Sequence, residues 1–203
     1  MPESADIMLL GNVSYEFVRY QLNEGLHIIR NPFDLLVSAY YSHKTTHSTD
    51  GWPKLELQRR LLEIAPYDVG ILLTLAFIER SDFYDVALGP FAGLRQWDFN
   101  DQRFQTFRME DLVTNVNGVL GSNLKNRFGE SLILPDPSEF RFERFAGGRS
   151  PGQIDPLSHY RSGENGAWRK QLPPIAVQYI RTHFADLLMR HYPEHLTSDH
   201  VGN

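Results

Sequence analysis

The chain has 203 residues, 20 Lys and Arg against 25 Asp and Glu, a formal net charge of -5 and 41% hydrophobic residues, which together describe one globular domain over residues 1–203 with room for a sizeable core. The acidic balance excludes a protein that coats nucleic acid or anionic lipid by bulk charge, and the absence of cysteine excludes disulfide scaffolds, thiolate metal sites and cysteine nucleophiles. Only four of the basic residues are lysines and sixteen are arginines, and the rigid arginine fork suits a phosphate or sulfate group held locally.

The N-terminal stretch MPESADIMLLGNVSYEF has no basic run, and its apolar segment, Ile7 to Leu10, is too short for a signal peptide or a span. The expectation is a cytoplasmic protein with no stable membrane insertion and no nucleic-acid partner. Ser14 to Leu22 predicts a short helix. Leu26 to Arg30 is a short run of β-formers, and Pro32 follows it with apolar residues at Phe33, Leu35, Leu36 and Ala39, which predicts a strand, a tight turn and a helix with Pro in its first turn. From Trp52 to Leu94 the pattern is helical, with pieces ending before Pro66, spanning Ile71 to Ile78, and running from Phe83 to Leu88 before Gly89-Pro90. Phe104 to Arg108 alternates as a strand and Glu110 opens another helix. Gly147 to Gly166 reads as a long loop, and Pro173 to Tyr192 as a closing helix with Ile180, Phe184, Leu187, Leu188 and His191 on one stripe. Strands separated by helices predict an α/β protein with a parallel sheet flanked by helices.

Two segments carry chemistry. In Arg30-Asn31-Pro32-Phe33-Asp34 the arginine leaves the carboxyl end of a parallel strand, and Ser38 follows two turns into the next helix. Open α/β sheets bind ligands at that place, and an arginine fork with a hydroxyl beside a helix N-terminus suits a dianionic phosphate. Read alone, the segment also fits a capped strand exit with Arg30 in a surface ion pair. The second segment runs from His159 to Lys170. It sets Gly163 and Gly166 three residues apart beside Arg161, Arg169 and Lys170, so that the backbone can approach a ligand closely. Phe140 to Lys170 holds six basic residues against three acidic ones, a local excess inside an acidic chain. Alone, it also fits a solvated surface loop.

Taken together, these segments resemble the sulfotransferases that use 3'-phosphoadenosine 5'-phosphosulfate (PAPS). The family carries an Arg-Asn-Pro strand exit with a Ser eight residues after the Arg, matched by Arg30 and Ser38, and a C-terminal Arg-x-Gly-x-x-Gly-x-Trp signature, matched by Arg161, Gly163, Gly166 and Trp168 with Arg169 and Lys170 behind. Between them, Arg108-Met109-Glu110-Asp111-Leu112 looks like the family's strand-ending Tyr-Glu-Asp-Leu, and Phe145 to Arg161 is similar to the corresponding linker of bacterial members. The likeness runs from about Leu26 to Tyr192.

The resemblance implies a P-loop-like parallel sheet with flanking helices, the sulfotransferase fold. It implies that PAPS is the co-substrate, and that Arg30 and Ser38 bind its 3'-phosphate while Arg161, Ser162 and Gly163 close over the same group. Met109 stands where the family often has Tyr near the adenine, and Trp168 is expected to pack behind the loop. The implied activity is sulfuryl transfer to a hydroxyl or amine on a small-molecule, glycan or lipid acceptor. The segments Trp52 to Leu94 and Gly147 to Asp155 are expected to shape the acceptor pocket.

The family's Pro-Lys-Ser-Gly-Thr-Thr type of loop for the 5'-phosphosulfate has no counterpart before Arg30, where there is no lysine. The chain is therefore expected to be N-terminally truncated relative to the family. The alternatives are a binding module that holds a 3'-phosphoadenosine nucleotide without transfer, and a relative with a structural role only. No general base stands in the family's usual place. His27 reads as a structural strand histidine. His43 and His47 follow the phosphate-site helix and are the candidates for facing the acceptor cleft, beside their reading as solvated helix-end residues. Their i, i+4 spacing lacks an accompanying carboxylate, and no metal is expected.

Overall fold

The computed structural model describes residues 8–83, 88–133 and 136–196. Strand β1 spans Gly25–Ile29 and strand β2 Phe104–Arg108; they pair in parallel, from Gly25 opposite Phe104 to Ile29 opposite Arg108. Among the described residues these two form the whole sheet, a short version of the parallel sheet expected. Because the strands are parallel, their carboxyl ends lie side by side and the next residues, Arg30 and Met109, emerge together.

Before β1, α1 covers Tyr15–Gln21, with the Ser14 hydroxyl accepting the Phe17 N–H at 3.1 Å. After β1 comes α2, Pro32–Tyr41. Asn31 is its cap, with Oδ1 accepting the Phe33 N–H at 3.0 Å, and Pro32 occupies the first helical position, where its missing N–H leaves nothing unpaired. The chain runs on through one π-helical turn, Ser42–Thr46, into α3 (Pro53–Ile64), α4 (Tyr67–Ile78) and α5 (Pro90–Gln96). The helix expected over 83–88 falls largely on residues 84–87, outside the described ones. Beyond β2, α6 spans Met109–Phe128 and is bent at Asn115 (φ -153°, ψ 71°), whose side chain accepts the Gly118 N–H at 2.9 Å and restarts the helix as a cap would.

Short helices α7 (Phe142–Phe145) and α8 (Trp168–Gln171) bracket the long loop, and α9 (Pro174–His183) and α10 (Ala185–His191) are the last α-helices among the described residues. The sequence predicts one closing helix; the structure breaks it at Phe184 (φ -123°, ψ 26°). At the break that ring is buried edge-on against Phe91, 4.8 Å away. A one-turn 3-10 helix, Pro193–His195, follows.

Helix α2 is the hub. Phe33, Leu36, Val37 and Tyr40 recur at i, i+3, i+4 and i+7 and are buried against Ile71 and Leu75 of α4 and Ala176 and Ile180 of α9. Each such side chain contributes about 1.5–3 kcal/mol on burial. Among the described residues no helix is long and apolar enough to cross a membrane.

Two histidines are held in the neutral form, His27 partly buried and His43 buried. His27 of β1 stacks on Trp97 at 3.5 Å, with Nδ1 3.2 Å from the Thr106 hydroxyl, and burial, aided by His191, lowers its pKa to about 3. His43 is 2% exposed among Trp52 and Phe83, and burial, with His47 next, lowers its pKa to about 4. The unfolded chain therefore takes up protons near pH 6.5 that the folded chain refuses, so stability is full above that pH and is lost as pH falls toward 4. We expect the urea midpoint to drop between pH 6.5 and 5, as the unfolding free energy falls with a slope approaching about 1.4 kcal/mol per pH unit for each histidine. A midpoint that stays constant over that range would contradict the burial of neutral His27 and His43.

Candidate anion-binding cleft

Arg30 and Met109, leaving the adjacent strand ends, open onto a cleft of about 430 Å³, within the range of small-ligand sites. Arg30 and Ser38 line it together with Arg161, Ser162 and Gly163, so all five residues singled out for the 3'-phosphate face one cavity. Met109, Val113, Phe140, Phe142 and Phe145 supply an apolar wall, and Ser42, Thr45, Thr46, Ser158 and His159 a hydroxyl-rich one.

Arg30 is mostly buried, and its Nε has no hydrogen-bond partner among the described residues. Burial works against its proton, Asp34 and Glu110 favour it, and Arg161 opposes it; a guanidinium stays charged under such pressure. A guanidinium that lines a cleft can meet an anion there. The guanidinium of Arg161 lies 4.0 Å from the centre of the Tyr41 ring, which fixes it in the cleft by a cation–π contact. Tyr41 is three residues after Ser38, on the same helical face.

The two halves of the site are joined by Asp34. It stands in the first turn of α2, 4% exposed, and accepts the N–H groups of Gly166 at 2.7 Å and Trp168 at 3.3 Å. Burial pushes its carboxyl above the ordinary range, opposed by those two bonds and by Arg30. Beside this clasp, Trp168 stacks on Phe33 with centroids 4.3 Å apart, and so packs behind the loop as expected. Gly163 has φ +59°, and a side chain there would put its Cβ 2.5 Å from the Phe142 ring; this glycine serves the loop's own packing. Arg149 spans the preceding loop, donating to the carbonyls of Ala146, Gln153, Tyr160 and Arg161 at 2.7–3.1 Å. It is a structural strut, although its charge counted in the basic excess.

Behind Arg30, the Asn31 N–H donates to Glu110 Oε1 at 2.8 Å, and Tyr192 donates its hydroxyl to Glu110 Oε2 at 3.0 Å. Asn31 Nδ2 lies 2.9 Å from Nε2 of His195. Asp34, Glu110 and Tyr41 lie within or beside the segments that the sequence singles out, but the sequence assigns them no role, and it does not single out His195. The available signal was an acid in the first turn after Asn31-Pro32, and an acid following the second strand.

His43 and His47 do not line the cleft. His43 departs from the solvated helix-end expectation because the π-helical turn rolls its ring inward onto Trp52 and Phe83. His47 stands one side chain back, with Nδ1 2.8 Å from the hydroxyl of Ser42, which does line it, and its pKa is lowered by burial, then by His159 and Arg59. Neither the 52–94 helices nor Gly147–Asp155 contributes to the cleft wall; α4 instead packs behind α2.

No protein-family model and no curated protein sequence matches the chain. Its fold is similar to that in the crystal structure of a mouse sulfotransferase complexed with PAP, with a TM-score of 0.55 and 14% identity, covering 91% of this chain and 69% of that one. At that identity the likeness is one of fold.

Replacing Asp34 by Asn keeps the shape but turns an NH2 group toward one of the two backbone N–H groups whichever way the amide lies. We expect Asp34→Asn to cost about 2 kcal/mol in urea titrations and to speed amide exchange at Gly166 and Trp168 while leaving β1 protected. Unchanged exchange at those two amides would remove Asp34 as the clasp.

Proposed function

We propose that the cleft binds a 3'-phosphorylated adenine nucleotide and that the chain serves sulfuryl transfer from PAPS to a hydroxyl or amine acceptor. The observation that carries this reading is the meeting of Arg30, buried with an unused Nε among the described residues, with Ser38, Arg161, Ser162 and Gly163 in one cavity. Two arginines from opposite ends of the chain match a dianionic phosphate, the group that separates PAPS from the commoner adenine nucleotides. The apolar wall of Met109, Val113, Phe140, Phe142 and Phe145 suits the flat face of a purine. The fold's similarity to a sulfotransferase complexed with PAP agrees with the reading.

A second reading, nucleotide binding without transfer, has its own support. Sulfuryl transfer needs charge neutralised at the equatorial and leaving oxygens, and among the described residues lining the cleft none is a lysine and none precedes Arg30. The two readings share the 3'-phosphate site and differ only in turnover.

Calorimetry with 3',5'-adenosine bisphosphate and with 5'-AMP tests the shared part. The bisphosphate is expected to bind at least ten-fold more tightly, and Arg30→Ala to weaken it roughly 100-fold, the worth of a lost charge-assisted pair. Equal affinity for the two nucleotides would remove the 3'-phosphate assignment. Incubation with labelled PAPS and a panel of alcohols and amines then separates transfer, in which label moves to an acceptor, from binding alone.

A further inference from the structure

His195 belongs to the 3-10 turn near the end of the described chain, yet it is 7% exposed and lies against the first residues of the anion site. Asn31 Oδ1 is committed to the Phe33 N–H at 3.0 Å, so its Nδ2 must face His195 Nε2 at 2.9 Å as a donor. That nitrogen therefore carries a lone pair, and the imidazole is neutral with its proton on Nδ1. The contact of Nδ1 with Arg169 at 3.3 Å is then a meeting of two donors and holds nothing. The ring also meets Phe33 edge-on at 5.9 Å, Trp168 edge-on at 5.5 Å and Tyr192 in a stack at 6.1 Å. Its own carbonyl is tied to Arg181 Nε at 3.0 Å. His195 thus touches Asn31, which sets the direction in which Arg30 leaves β1, and also the Phe33–Trp168 stack that carries the Arg161–Gly163 loop.

We propose that His195 is a positioning residue for the phosphate site, holding Asn31 through an unprotonated Nε2 and bracing the aromatic stack that brings the two arginines together. The inference rests on the nucleotide reading above. The charged groups facing the ring are Glu194, with a carboxylate oxygen 3.8 Å from Nε2, Arg169 from α8 and Asp34 from α2. Burial lowers its pKa, Glu194 and Asp34 oppose that and Arg169 adds to it, so the ring is neutral at pH 7 and protonates only on the acid side of 6.5. Protonation puts a hydrogen on Nε2 and turns the Asn31 contact into a clash of donors.

The test is calorimetric binding of 3',5'-adenosine bisphosphate between pH 5 and 8 by the full chain and by His195→Ala and His195→Gln. Glutamine offers an amide oxygen near the position of Nε2 at every pH. We expect His195→Ala to bind roughly ten-fold more weakly at pH 7.5 and His195→Gln to stay within about three-fold of the parent. The nucleotide's own phosphate titrates near pH 6 and affects all proteins alike, so the readout is the ratio of parent to His195→Gln affinity, expected to fall on the acid side of 6.5. If His195→Ala fails to fold, that ratio still decides: matching pH profiles for parent and His195→Gln overturn the role of His195. Parent-like binding by a folded His195→Ala also overturns it. No binding by the parent at any pH overturns the nucleotide reading itself.

Discussion

Asp34 lies in the first turn of α2 with its carboxylate turned from solvent, and the N–H groups it accepts belong to Gly166 and Trp168, at the far end of the long loop. A carboxylate at a helix N-terminus is favoured by the backbone dipole, but here burial costs more than the dipole returns, and the carboxyl sits above its ordinary range. What that cost secures is registration. With the loop's end fixed on α2, Trp168 can stack on Phe33, Gly163 can close on Phe142, and Arg161 comes to rest over Tyr41, one turn of helix from Ser38. Release the carboxylate, and the halves keep the Phe33–Trp168 stack, the Arg161–Tyr41 contact and the Thr45 bond to the Pro156 carbonyl, but lose both bonds that fix the Gly166 and Trp168 backbone on α2.

Sixteen arginines in an acidic chain say little by number, and the structure sorts them by what their donors are doing. Arg149 spends its guanidinium on four backbone carbonyls, and Arg103 forks onto Asp101. Arg108 covers Tyr192, 4.7 Å from the ring centre, and reaches the carbonyl of His191. Arg30 is mostly buried with its Nε unused among the described residues, as is the Nε of Arg108, but of these four arginines Arg30 alone lines the cleft. The carboxylates closest in influence, Asp34 and Glu110, are themselves occupied by backbone N–H groups. A charge kept in place but not consumed is the condition for binding a ligand of opposite sign.

The parts legible in the sequence are those that depend on local rules. The Arg30-Asn31-Pro32 exit was readable because Asn caps, Pro starts helices and the strand before it is short and β-branched. The strands came out within a residue of their positions for the same reason. Asp34, Glu110 and His195 were not legible, since a buried polar residue is defined by partners 79 to 164 residues away. The break at Phe184 is not legible because the stripe it interrupts is itself regular, and the Phe91 ring packed on Phe184 is far away in sequence. His43 shows the limit of helix-face arithmetic: a single π-helical turn, invisible in composition, moved it from the expected surface to the core.

The clasp also dictates an order of events on the ribosome. Asp34 leaves the synthesis machinery 132 residues ahead of Gly166 and Asn31 164 ahead of His195, an interval of roughly 7 to 26 s for the first pair at ordinary translation speeds of about 5–20 residues per second. Throughout that interval the nascent hub helix displays Phe33, Leu36 and Tyr40 with no α9 to cover them, a stretch suited to transient shelter by a chaperone. Such long loops close slowly because their entropy must be lost before any contact compensates. The cleft is thus completed after the rest of the core has begun to form.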